Sequence, residues 1–412
     1  MTVRPEQAQA AARLGGRAAG AVVTHVEHVH RSIATRVLAP LEPSSPERAY
    51  DAVTRLSYGA VRGTLAAAGS AGGVVARLAF RGREDDVAAT GWGNHAVSAL
   101  NAVIGETLSN DGDPLAVRTA VRQGGQDVEV TRDGLAAAWP EATPRLAVFV
   151  HGLGENDDSW RRHSTDDTGS TYGSRLATEF GYTPLYLRYN TGRHVSDNGR
   201  DLTALLHALH ENWPTAVDEM LLVGHSMGGL VIRAACHYGG GERWIDTVRH
   251  VVYLGSPHTG APLARGFRML AWAFDKAPET RPYGRLADHS AGVRDLRFGY
   301  LVDEDWAECD AGTCRQDHAH DVPLLATADH YVISATVASD PWGRTARVVG
   351  DLLVQPSSAH GRRHNRTPVA FEHEHIAHIS QLHHFDLLNH PAVYDTLRSW
   401  LASDQIGTAA RG

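Results

Sequence analysis

Lysine is nearly absent from this chain of 412 residues: Lys276 stands alone against 38 arginines. That removes phosphate-cradling P-loops, which need a lysine after a Gly-rich turn. It leaves a single candidate for Schiff-base or Ser/Lys chemistry. Cysteine is scarce as well. Cys236, Cys309 and Cys314 are too few to build a disulfide framework in a chain this long. Cys309 and Cys314, followed by His318 and His320, do not have the spacing of a zinc site. Whether these two cysteines pair or bind metal stays open. A basic surplus is missing too: 39 basic residues face 47 acidic ones, a net charge of −8. Nonspecific nucleic-acid binding, which depends on displacing counterions from phosphate, is therefore disfavoured. Met1–Ala12 lacks a basic stretch followed by an apolar one, so no secretory leader is visible. Gly63–Ala76, the uncharged run read as a candidate span, falls short of the ~20 helical residues that cross a bilayer. These absences point to a cytoplasmic protein.

Residues 7 to about 110 carry a helical pattern. Leu14, Ala18, Val22, Val26, Val29, Ile33 and Val37 recur at steps of three or four. Pro40 and Pro43 stop that helix, and Ser45-Pro46 opens the next as cap and first turn. The apolar stripe is read as packing on protein, with a lipid surface or a second subunit as the other partner it suits. The oligomeric state is not legible.

From residue 115 the pattern changes. Val117–Val121 and Val128–Val130 flank Gly124-Gly125, a hairpin signature. Short apolar runs then alternate with helical stretches: Leu146–Val150, Thr183–Leu187, Met220–Val223, His250–Leu254 and Tyr331–Ala335. Such runs predict a mostly parallel sheet covered by helices on both faces. The segment from about 262 to 326 is too long for a connecting loop and includes the apolar run Phe267–Phe274. It is read as a cap or lid insertion.

Gly224-His225-Ser226-Met227-Gly228 follows one of these strands and precedes a helix predicted from Leu230 to about His237. Strand, sharp turn and helix form the setting in which G-x-S-x-G carries a nucleophile. A serine hydroxyl needs a base to take its proton and an acid to orient that base. In chain order the acid comes next, then the histidine. Asp351 and Asp340 both follow the strand Tyr331–Ala335. His384 and its neighbour His383 precede a C-terminal helix predicted over Val393–Leu401, where His390 stands at the helix start beside Pro391. Asp351 and His384 are the preferred pair. His151-Gly152-Leu153-Gly154 follows Leu146–Val150 and offers backbone N–H groups for an oxyanion, with Leu153 and Met227 as the donors. The histidines 373, 375, 378, 383, 384 and 390 do not repeat a tetrahedral metal pattern, so neither metal nor cofactor is expected.

Taken with Gly255-Ser256-Pro257-His258-Thr259-Gly260, Gly350-Asp351 and His384-Phe385-Asp386-Leu387-Leu388, these motifs resemble the lipase branch of the α/β-hydrolases. The likeness is strongest to bacterial triacylglycerol-lipase-like and GPI-inositol-deacylase-like proteins and covers roughly 115–405. It implies an α/β-hydrolase fold and a serine carboxylester hydrolase with Ser226, Asp351 and His384 as its triad. It also implies a preference for acyl esters of lipophilic alcohols. An acyltransferase, amidase or polyester hydrolase would use the same triad, and an inactive lipid-binding module is the non-enzymatic alternative. The expected organisation is an N-terminal helical extension over 1–114, the hydrolase domain over 115–405 with its cap insertion, and a flexible tail over 406–412.

Overall fold

A strand whose side chains are apolar on both faces can be stable only if both faces are covered. Arg145–Val150 is such a strand, with every residue after Arg145 buried. The computed structural model describes residues 4–16, 91–162, 170–261, 290–308, 318–340, 343, 350–362 and 367–409. Among these, residues 91–111 and 116–409 form one compact unit, and 4–16 with 112–115 belong to a second. Residues 5–16 are helical and bury Leu14. The rest of the N-terminal stripe and the run Phe267–Phe274 lie outside the described residues, as do Cys309 and Cys314.

The larger unit begins with helix α1 (Gly91–Asn110). A hairpin follows, β1 (Ala120–Gln123) and β2 (Gln126–Asp127). Gly124 and Gly125 both have positive φ, 59° and 80°, as a tight two-residue hairpin turn requires. The hairpin is shorter than its sequence pattern, because Val117 and Val130 lie outside the ladder. Then come α2 (Arg132–Ala138), β3 (Arg145–Val150), α3 (Tyr172–Phe180), β4 (Thr183–Arg188), α4 (Val195–Asn212) and β5 (Glu219–His225). They are followed by α5 (Met227–Tyr238), β6 (Val248–Leu254), α6 (Ala291–Phe298), β7 (Asp329–Thr336), α7 (Pro356–Ala359), β8 (Ile376–Ser380) and α8 (Pro391–Ala409).

The eight strands make one sheet in the order β2-β1-β4-β3-β5-β6-β7-β8. β3 to β8 are parallel, and β1 is antiparallel to both β2 and β4. Alternate residues feed two cores, following the period of two along a strand. Leu146, Val148 and Val150 of β3 face the core that takes Leu202 and Leu206 of α4 with Leu230 of α5. Ala147 and Phe149 face the opposite core, with Leu176 of α3 and Tyr394 and Leu397 of α8. This is the α/β-hydrolase architecture, and every loop at the carboxyl ends of the parallel strands opens on one edge of the sheet.

Two details depart from the sequence reading. The C-terminal helix runs Pro391–Ala409, longer at both ends than the Val393–Leu401 predicted. β8 was hidden in a histidine-rich stretch and adds a strand at the sheet edge. No helix among the described residues is long and apolar enough to cross a membrane.

Candidate active site

β5 ends at His225, and Ser226 caps α5 with φ 52° and ψ −120°. A non-glycine residue at positive φ costs about 1–3 kcal/mol and persists only when its surroundings enforce it. Here the enforcement is backbone packing. The Ser226 N–H donates to the Leu254 carbonyl at the end of β6, 2.8 Å away. A Cβ on Gly228 would lie 2.1 Å from the Val150 carbonyl oxygen, so only glycine lets α5 approach β3 this closely. The helix begins at Met227, three residues before the predicted start. Its first N–H groups lack intrahelical acceptors and point toward the turn.

The loop after β7 presents Asp351, which is buried. Oδ1 accepts the N–H groups of Leu353 and Val354 at 2.9 and 2.7 Å, and Oδ2 meets Nδ1 of His384 at 2.8 Å. Backbone adds a second tie, since the His384 N–H donates to the Asp351 carbonyl at 3.0 Å. Asp340, the second carboxylate considered, is exposed in the turn after β7. The two adjacent histidines separate cleanly. The His383 side chain is 48% exposed and faces Asp386 at 3.1 Å, whereas that of His384 is 1% exposed and faces Asp351.

Gly350 and Leu352 both have positive φ, 59° and 81°. A glycine at 352 would suit that backbone, and the turn forms with leucine there nonetheless. Leu352 is 38% exposed, so its side chain contributes modestly to the core. Leu352→Gly is expected to keep stability within about 1 kcal/mol of the parent, because relief of left-handed strain offsets the added freedom of the unfolded chain. Urea denaturation checks this. A loss of several kcal/mol would mean that the leucine side chain, not the turn, holds Asp351 in place.

The His384 ring lies alongside the elbow. Its centroid is 4.7 Å from that of His225, and a Cβ on Gly255 would lie 3.1 Å from its Cε1. Nε2 of His384 and Oγ of Ser226 are both buried, and neither has a hydrogen-bond partner among the described residues. Opposite them, Gly152–Glu155 forms a turn closed by the Glu155 N–H on the Gly152 carbonyl at 3.2 Å. Gly152 N–H is held by Glu155 Oε2 and Gly154 N–H by Thr191 Oγ1, at 2.7 and 3.2 Å. The N–H of Leu153, between them, donates to no acceptor among the described residues.

The turn after β6 is tied to α6 and α7. Ala261 N–H donates to Leu296 O of α6 at 2.9 Å, and Thr259 N–H reaches Ser358 Oγ at 3.3 Å. Cys236 packs as a small core residue, and burial pushes its thiol up to about 12. The late histidines have separate partners: His378 meets Ser334, His375 packs on Tyr331, and His390 caps α8 through Ala392 N–H. A cavity of about 410 Å³ is lined by Arg233, His258, Thr259 and His320, and by none of the residues proposed for chemistry. Sequence reasoning missed Glu155, whose position three residues past Gly152 carries no motif.

Residues 145–279 match the family described as the PGAP1-like alpha/beta domain. That match covers 135 of the 412 residues. The match spans β3 to β6 and includes the Gly152–Glu155 turn and the elbow, while Asp351 and His384 lie beyond it. No curated protein matches the sequence. Among solved structures, the mature lipase BlEst2 of Bacillus licheniformis is 19% identical, with TM-score 0.41, covering 62% of this chain and 91% of that one. A thermophilic esterase from Thermogutta terrifontis is 13% identical, with TM-score 0.37, covering 64% and 91%. The Pyrococcus furiosus esterase Pf2001 is 16% identical, with TM-score 0.34, covering 63% and 81%.

Proposed function

We propose that this protein is a serine carboxylester hydrolase in which Ser226 is the nucleophile, His384 the general base and Asp351 the orienting acid. The observation that supports this reading best is the buried Asp351–His384 pair at 2.8 Å, whose ring packs 4.7 Å from that of His225, with Nε2 of the imidazole and Oγ of the strained Ser226 both unengaged among the described residues. A carboxylate on Nδ1 fixes the tautomer that leaves Nε2 free to accept a proton.

In the first half-reaction Nε2 takes the Ser226 proton as Oγ attacks the ester carbonyl. The oxyanion develops toward the N–H groups of Leu153 and Met227, each such donor lowering the barrier by about 3 kcal/mol. The tetrahedral intermediate collapses, and the alcohol leaves with the proton from Nε2. Water then gives a proton to Nε2 and attacks the acyl-serine, and return of that proton to Oγ releases the free acid. These steps need no metal or cofactor. A preference for acyl esters of lipophilic alcohols is what the resemblance to lipases implies.

A series of p-nitrophenyl esters from two to sixteen carbons tests the reading. Release of free acid with an optimum at medium or long chains is expected. An optimum at acetate with no turnover of long chains would reject the lipase label and leave a short-chain esterase, and no turnover of any ester would reject the hydrolase.

A further inference from the structure

Directly behind the elbow lies a second carboxylate–imidazole pair that the proposed mechanism does not use. Glu155, His225 and the Gly152 backbone are buried. Glu155 Oε2 receives the Gly152 N–H at 2.7 Å and meets His225 Nδ1 at 2.9 Å. The other ring nitrogen, His225 Nε2, meets the backbone carbonyl of His384 at 3.2 Å. A carbonyl oxygen can only accept, so Nε2 carries a hydrogen. A carboxylate also only accepts, so Nδ1 carries or shares a second one. The pair is thus neutral as a whole, and its three hydrogen bonds (two on Oε2, one on His225 Nε2) are all made only while Glu155 supplies a negative charge; Oε1 is buried with no hydrogen-bond partner among the described residues. Burial by itself pushes the Glu155 carboxyl up. The charge and hydrogen bond of His225, with the Gly152 N–H, outweigh it and hold the group below the ordinary range. Its other ionisable neighbours are His151, Arg162 and Tyr189.

We propose that the Glu155–His225 pair is a positioning device, tying the oxyanion loop after β3, the elbow after β5 and the loop that carries the base into one rigid unit. The pair touches no reacting atom. Through Gly152 it sets where the Leu153 N–H points, and through the His384 carbonyl it sets where the His384 ring stands. This rests on the hydrolase reading of the site.

Glu155→Gln separates the charge from the shape. A glutamine oxygen can still accept from Gly152, but without the carboxylate charge His225 holds one ring hydrogen in place of two. One of the three hydrogen bonds must then be lost. Turnover of the best ester is expected to fall about 100-fold with KM nearly unchanged, as for a small misplacement of aligned groups. A residue that only stabilises the fold would lower the unfolding midpoint without splitting kcat from KM. Proton NMR of the ¹⁵N-histidine-labelled full chain supplies a measurement independent of any folding defect in the variant. Two hydrogen-bonded ring N–H signals should belong to His225, assigned by their loss in His225→Asn, and one of them should vanish in Glu155→Gln. A single His225 N–H in the parent protein, or a parental kcat in Glu155→Gln, would overturn the proposal. A parent protein that shows both signals yet turns over no ester would refute the hydrolase reading, and the positioning role with it, while leaving the charged pair in place.

Discussion

His384→Ala is expected to lower ester turnover by a factor on the order of 10⁵ to 10⁶, the loss seen when a base that works as one unit with its nucleophile is removed. The reason is the geometry at Ser226. Its hydroxyl and Nε2 of His384 are both buried without a hydrogen-bond partner among the described residues, and Asp351 holds the other nitrogen of that ring. Without the imidazole, Oγ keeps its proton and remains a weak nucleophile. Because the two groups act together, the double variant Ser226→Ala/His384→Ala should be no slower than either single one. Rates from initial velocities at saturating ester decide it. Additive losses would mean that the two residues serve separate steps. His383→Ala, by contrast, removes a side chain paired with Asp386 at the surface and should leave kcat near the parental value.

Gly228→Ala should cost on the order of 3 kcal/mol of stability, although alanine is the better helix former. The added methyl would sit 2.1 Å from the Val150 carbonyl oxygen and 2.7 Å from that of His151, and both are backbone atoms of the central sheet and its loop. No side-chain rotation relieves that overlap, so α5 must move away from β3. Such a shift carries the Met227 N–H with it and should also lower turnover by about 100-fold. Guanidinium denaturation measures the first effect and steady-state rates the second. A variant with parental stability would mean that the elbow is loosely packed and that its strain at Ser226 is not enforced by α5.

Much of this arrangement is legible before any coordinates, for physical reasons. The central strands are short apolar runs without alternation because both sheet faces are covered, and β3, β5 and β6 fall where those runs lie. The elbow is legible because glycine at 224 and 228 is forced by backbone contact, which leaves a trace in sequence. β8 is harder to read: all five of its residues are half-buried at the sheet edge, so Ile376–Ser380 has neither an apolar run nor a clean alternation. The choice between His383 and His384 depends on the short helical turn that begins at His384 and sends neighbouring side chains in different directions, which no spacing rule reveals. Leu352 conceals the turn of Asp351, because a leucine at φ 81° looks like an ordinary apolar position. Glu155 is invisible for another reason. Its partners are a backbone N–H and a histidine 70 residues away, brought together only when β3 and β5 pair.

The most direct test is covalent. A fluorophosphonate probe reacts only with a serine whose proton is being withdrawn, and peptide mass spectrometry locates the adduct. The account requires one phosphonyl group per chain on Ser226, with labelling suppressed in both His384→Ala and Asp351→Asn. An adduct on any other residue, or labelling of Ser226 that proceeds equally fast without His384, would contradict it.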